Sequence, residues 1–330
     1  MRTPPPLVAS LEELLEGATA RRPMTSGDAL SGSLLERVEI GDRRLVLKQL
    51  RLEDDWIMRA TGDLGIRQLP LWSSGLLNDL PRAIDHAVQA VAVVAGTAGR
   101  SRLALLLDDV GELLVPEGSD LIPAAQHRDF LEHMAAMHAA YWGFSDSCGL
   151  MPRSHHFTFL TPQMTVLEAA RGTTGVPPIV AAGWTRLEQV APRTAPLLRR
   201  LAADPWPLVE ALSATPATLI HADWKLGNLG SHPDGRTVVL DWAFPGAASW
   251  SLDLAWYLAV NCDLMPHTKE EAIDAYRDAL LSRGVDVGSW WDQQLECGLL
   301  GALVFLGWSK TGAELDWWAD RVERAVGYLP

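Results

Sequence analysis

Late in the chain, a short apolar strand, a charged loop, a turn and a second apolar strand follow one another within twenty-odd residues. Thr218-Leu219-Ile220 reads as the first strand and runs into His221-Ala222-Asp223-Trp224-Lys225-Leu226-Gly227-Asn228. Pro233-Asp234-Gly235 makes the turn, and Thr237-Val238-Val239-Leu240 returns as a strand that ends on Asp241. A turn between two short strands brings Asn228 and Asp241 to one edge. Few arrangements of backbone satisfy that order.

The side chains on this frame are those that phosphoryl transfer requires. The reaction asks little covalent chemistry of a protein. It needs a carboxylate beside the attacking hydroxyl and oxygen ligands that hold Mg²⁺ on the phosphates. Asp223, on the loop leaving the first strand, is the candidate catalytic base. Asn228 offers a neutral oxygen and Asp241 an anionic one, both suited to Mg²⁺. Lys225 is placed to reach the γ-phosphate and offset charge developing there. His221 is read as holding the loop, its ring bonding backbone near Asp241. A pattern H-x-D-x-x-x-x-N also arises by chance. The order of strand, loop, strand, Gly246 and a helix carrying Asp253 favours the chemical reading.

Leu219 to Tyr257 resembles the aminoglycoside phosphotransferase superfamily, small-molecule kinases with a protein-kinase-like fold. The likeness rests on His221-Ala222-Asp223…Asn228, on Val239-Leu240-Asp241-Trp242…Gly246 and on Leu252-Asp253-Leu254-Ala255. Ala222 stands where the family's usual motif has Gly, and Leu240 where it has Ile. The resemblance implies Asp223 as base and Asn228 and Asp241 as metal ligands. It further implies that Asp253 braces the catalytic loop through backbone N–H groups; a helix N-cap role for Asp253 is compatible with that. Lys225 matches the protein-kinase version of the loop, but no A-P-E landmark follows Asp241.

The first third is strand-rich. Leu34–Ile40, the turn Gly41-Asp42 and Leu45–Lys48 read as a hairpin, with a third strand at Leu103–Leu107. Lys48, closing an apolar strand, resembles the lysine that binds the α- and β-phosphates; a solvated strand end is the alternative. Its helix carboxylate partner is not evident: Glu53 is close in sequence, Asp63 is better spaced and Gln68 lacks the charge. Ser31-Gly32-Ser33 is either the phosphate-covering turn or an ordinary loop. The adenine is expected to meet backbone groups around Leu107–Val110, a stretch that includes Asp108 and Asp109. Asp108 and Asp109 are not a metal pair, because adjacent residues on an extended strand point to opposite sides. His155-His156 lacks zinc-ligand spacing, and His138, on the apolar face of a helix over Ala125–Trp142, reads as a core histidine.

The 330 residues, 48% of them hydrophobic, suffice for a large core in two parts. No uncharged run is long enough to span a bilayer. Three cysteines far apart give neither a zinc spacing nor a disulfide framework, and a cytoplasmic setting is expected. The net charge of −13 disfavours nucleic acid and anionic membranes and favours a cationic substrate; acidity also serves solubility alone. Most of the 14 tryptophans belong to the core, with one or two available for a ligand pocket.

The expected fold is therefore α+β and bilobal, protein-kinase-like. A small β-rich N-terminal lobe covers residues 1–110, and a larger, mainly helical C-terminal lobe covers 111–330. The expected function is transfer of the γ-phosphoryl group of ATP, or another nucleoside triphosphate, with Mg²⁺, to a hydroxyl of a small molecule such as an aminoglycoside. The alternatives are a pseudokinase that binds nucleotide without transfer, and a structural helical module.

Overall fold

The computed structural model describes residues 3–24, 32–95, 101–118 and 120–330. The chain forms two compact units. The first holds everything up to Glu117, together with Ser147–Leu150 and Leu226–Ala243; the second holds the remainder.

The first unit is built on a six-stranded sheet. Its order across the sheet is Leu7–Val8, Val88–Ala95, Ser101–Asp108, Arg43–Leu50, Leu34–Ile40 and Ala18–Met24. The expected hairpin and third strand lie at its centre. Two further strands carry less legible patterns. Val88–Ala95 is an Ala/Val-rich run that reads equally as buried helix, and Ala18–Met24 contains Arg21, Arg22 and Pro23. Alternation sorts the central strand: Leu45 and Leu47 enter a core with Val38, Ala92, Ala104 and Leu106, while Lys48 points to the other face. Lys48 sits between Leu35 and Leu105 on the neighbouring strands, so its backbone is fixed from both sides.

A single cut at residue 110 does not describe the division. Leu229–Ser231 and Thr237–Val239 pair antiparallel, and Thr237–Val239 pairs in parallel with Ile84–Asp85. Gly230 also bridges to Leu114. These backbone bonds attach the Asn228–Asp241 hairpin to the first unit.

The second unit is mainly helical. Trp291–Leu306 runs through its core with nearly every residue buried. Gly298 lets the helix Ser251–Val260 approach closely, since a Cβ there would lie 2.4 Å from Ser251 Oγ. Thr218–Ile220 pairs antiparallel with Gly246–Ala248. Two helices, Ala195–Ala203 and Trp206–Leu212, are parted at Asp204 and Pro205. Val176–Val190 accommodates Pro177 and Pro178 because they occupy first-turn positions that need no N–H donor. Among the described residues no helix is long and apolar enough to cross a membrane.

Candidate active site

In the first unit, Lys48 Nζ lies 2.7 Å from Asp241 Oδ1. Asp241 follows the strand Thr237–Val239 with φ +57°, a left-handed backbone that is costly outside glycine. Strained residues of this kind concentrate where a side chain is aimed for function. The carbonyl of Asn228 accepts from Leu240 N–H at 2.8 Å, which extends the hairpin ladder by one step. Asn228 and Asp241 therefore leave the same end of one hairpin. A carboxylate and an amide oxygen are hard ligands, and Mg²⁺ takes its remaining ligands from water and phosphate. The donor set fits that ion.

The carboxylate near Lys48 that sequence reasoning missed is Asp55. It caps the helix Trp56–Ala60, accepting from Ile57 N–H at 2.9 Å and Met58 N–H at 3.0 Å. Burial raises its pKa to about 6. The Met58 N–H bond opposes the rise, the charge of Asp241 adds to it, and Lys48 opposes it. Asp55 thus lies within electrostatic reach of both members of the ion pair. A cap residue directly before Trp56 was its signal in the sequence. Asp63 does not serve Lys48: its carboxylate accepts from the backbone N–H of Arg67 at 2.9 Å. Gln68 is buried at the start of the helix Gln68–Ser73.

Gly32 has φ +96°, and a Cβ there would come within 2.3 Å of the Asp54 carbonyl oxygen. The turn carrying Gly32 and Ser33 thus packs on the backbone that leads into Asp55. Ser31 lies outside the described residues. At the far end of the strand Ser101–Asp108, Asp108 N–H donates to Ala87 O at 2.9 Å and Asp109 N–H to Arg44 O at 3.2 Å. Those two donors are engaged by the sheet, contrary to an adenine-reading role for them. The side chains are engaged as well: Asp108 with Arg43 and Gln89, Asp109 with Arg37. Val110 follows, its carbonyl accepting from Leu113 N–H.

In the second unit, Asp223 is buried and its Oδ1 accepts from the indole N–H of Trp256 at 2.8 Å. Its own N–H donates to His221 Nδ1 at 3.2 Å, so the His221 ring holds the loop through Asp223. Lys225 is half-buried, and its N–H donates to the Asp223 carbonyl at 2.9 Å. The chain passes from the second unit to the first between Lys225 and Leu226.

Asp253 organises this loop. Its carboxylate accepts from His221 N–H at 2.8 Å, from Ala222 N–H at 2.5 Å and from His138 Nε2 at 3.0 Å. The other nitrogen of His138 is 2.6 Å from the Tyr276 hydroxyl. His138 and Asp253 are both completely buried. Burial pushes the Asp253 carboxyl up, but the hydrogen bond and charge of His138, with His221, outweigh it and hold the group below its ordinary value. Asp253 is not an N-cap; it sits in the first turn of Ser251–Val260, and two of its three partners are on the His221–Asn228 loop. His138 is a core residue by burial but the orienting partner of that carboxylate by contact. Ala222 has φ +60°, the conformation that makes Gly the natural choice at this position of the motif.

Residues 82–291 match the model of the phosphotransferase enzyme family, whose short name is APH. That span is well over half the chain. The chain belongs to this family. Among solved structures, the microcompartment-associated aminopropanol kinase is 16% identical over 96% of this chain and 94% of its own, with a TM-score of 0.51. Aminoglycoside-3'-phosphotransferase of type VIII is 20% identical over 90% and 98%, with a TM-score of 0.49. Choline kinase from Streptococcus pneumoniae is 11% identical over 96% of each chain, also at 0.49. No curated protein sequence matches the chain. The α+β architecture expected from the motifs is that of the phosphotransferase family, with a β-sheet in the N-terminal part and a mainly helical remainder.

Proposed function

We propose that this phosphotransferase-family chain is an ATP- and Mg²⁺-dependent O-phosphotransferase acting on a hydroxyl of a small molecule. The reading rests above all on the Lys48–Asp241 pair at 2.7 Å, two residues 193 apart in sequence that share one charge centre. In the proposed reaction Lys48 donates to phosphate oxygens, and Asn228 and Asp241 hold the metal of the nucleotide complex. Mg²⁺ bound there neutralises charge on the phosphates. Asp223 orients the acceptor hydroxyl and takes its proton as the new O–P bond forms and the bond from the γ-phosphorus to ADP breaks. Trp256 and the His221 ring fix the position of Asp223, and Asp253 fixes the loop. Lys225 offsets charge on the transferred group. A cytoplasmic setting and a substrate pool of hydroxylated metabolites or antibiotics accord with this chemistry.

The test is a panel of hydroxylated acceptors incubated with Mg-ATP and read by mass spectrometry for the gain of one phosphate. Transfer to one class of acceptor supports the proposal. Binding of Mg-ATP with transfer to none would favour the pseudokinase.

A further inference from the structure

The segment that carries Asp223 is gripped at two points by one residue of another helix. His138 stands in the last turn of Ala124–Ala140, where carbonyls lack partners within the helix. Its carbonyl accepts from the hydroxyl of Thr218 at 2.8 Å, at the start of the strand that leads to the loop. Its ring acts at the far end of that strand. A carboxylate only accepts, so Nε2 carries its hydrogen and donates to Asp253 Oδ2 at 3.0 Å. The same oxygen accepts from His221 N–H at 2.8 Å, and Oδ1 accepts from Ala222 N–H. Turning the Asp253 carboxylate would therefore break the bond to His138 together with those to the loop. Ala222 is held at φ +60° by this contact, and Asp223 is the next residue.

The ring of His138 is itself fixed from behind. The Tyr276 hydroxyl lies 2.6 Å from its Nδ1. Tyr276 belongs to the helix Lys269–Leu281, and its ring stacks on Trp250 at 5.3 Å between centroids. Tyr276, His138 and Asp253 are all completely buried. Polar groups cost stability there unless they are bonded, and well-packed apolar side chains of similar volume often fold as well. An apolar core would lack the directed bonds that end on the two residues before Asp223.

We propose that His138 and Tyr276 are positioning residues for phosphoryl transfer: through Asp253 they set where the Asp223 carboxylate meets the acceptor hydroxyl. The inference rests on the phosphotransferase reading above. Neither side chain touches substrate. Every member of the chain Tyr276, His138, Asp253, loop backbone and Asp223 lies in the second unit, whereas Lys48 and Asp241 lie in the first. Loosening the chain should therefore slow the transfer step and leave nucleotide affinity as it was.

The experiment compares His138→Phe, His138→Gln and Tyr276→Phe with the native protein. It reads kcat and KM for ATP, using the panel acceptor that gains phosphate, and amide hydrogen exchange at His221 and Ala222 without ligand. His138→Phe is expected to lower kcat by about 10–100-fold, the weight of a hydrogen bond to a charged group, with KM for ATP unchanged and faster exchange at both amides. Tyr276→Phe, which deletes one hydroxyl and keeps the stacked ring, should act in the same direction by about fivefold. Gln offers a donor for Asp253 and an acceptor for the Tyr276 hydroxyl, so His138→Gln should restore most of both readouts. Tyr276→Phe decides alone if His138→Phe does not fold. Native kcat and native exchange in the folded variants overturn the inference. So does slowed turnover without faster exchange, or a His138→Gln as slow as His138→Phe, since lost packing explains either. Faster exchange that Gln reverses, in a protein that moves phosphate to no acceptor, upholds the hold on the loop and overturns the phosphotransferase reading.

Discussion

The indole N–H of Trp256 donates to Oδ1 of Asp223 across 33 residues of sequence, at 2.8 Å. One side chain thus holds the candidate base and packs in the aromatic cluster beside it. Trp256→Phe keeps an aromatic ring in the cluster with Phe159 and Phe305 and removes the donor along with part of the indole's volume. A hydrogen bond to a charged group contributes about 1.5–3 kcal/mol. Turnover should fall by about tenfold or more, with KM for ATP unchanged. Steady-state kinetics at saturating nucleotide reads both.

Asp253 joins three donors from two parts of the second unit, and no neutral side chain can accept from all three equally. Asp253→Asn turns one acceptor oxygen into a donor facing N–H groups. The loss should be about 3–5 kcal/mol, the range for breaking a buried charged pair, and chemical denaturation measures it. The pH dependence has a definite sign. The folded carboxyl sits below its ordinary value of 3.8, so its stabilisation is present above that value and disappears as pH falls through the folded pKa. The Asn variant should lack this acid-side loss.

Asp55 behaves oppositely. Its folded pKa is about 6 against an ordinary 3.8. Protonation is therefore favoured in the folded state. Stability is fullest below 3.8 and falls as pH rises towards 6, by about 3 kcal/mol across that interval. Asn caps a helix about as well as Asp. Asp55→Asn should therefore flatten the stability profile between pH 4 and 6 and raise stability at neutral pH. Melting temperatures across that range test it. If the buried charge serves Lys48 and Asp241, the same variant should bind Mg-ATP more weakly, a trade of function against stability.

Local patterns made some of the molecule legible in the sequence. The strands Thr218–Ile220 and Leu34–Ile40 fall where the apolar runs place them, because neither depends on distant partners for its period. Lys48 was legible as the polar residue of an apolar strand. Its contact with Asp241 was not, since nothing within either segment encodes a partner 193 residues away. Asp55 was hidden because a cap residue looks alike whether it faces solvent or lies near a partly buried ion pair. His138 was hidden by its apolar neighbours: Met134 and Met137 share its burial, but only tertiary packing brings Asp253 and Tyr276 to its two nitrogens. The division of the chain also depended on long-range pairing, since a three-residue strand joined to Ile84–Asp85 assigns the Asn228–Asp241 hairpin to the first unit.

The most direct measurement is single-turnover phosphate transfer by Asp223→Asn, using Mg-ATP and the acceptor found by mass spectrometry. The variant should fold, keep its affinity for Mg-ATP and transfer phosphate about 10²–10⁴-fold more slowly. Transfer at close to the native rate would contradict the assignment of Asp223 as the base and, with it, the proposed chemistry.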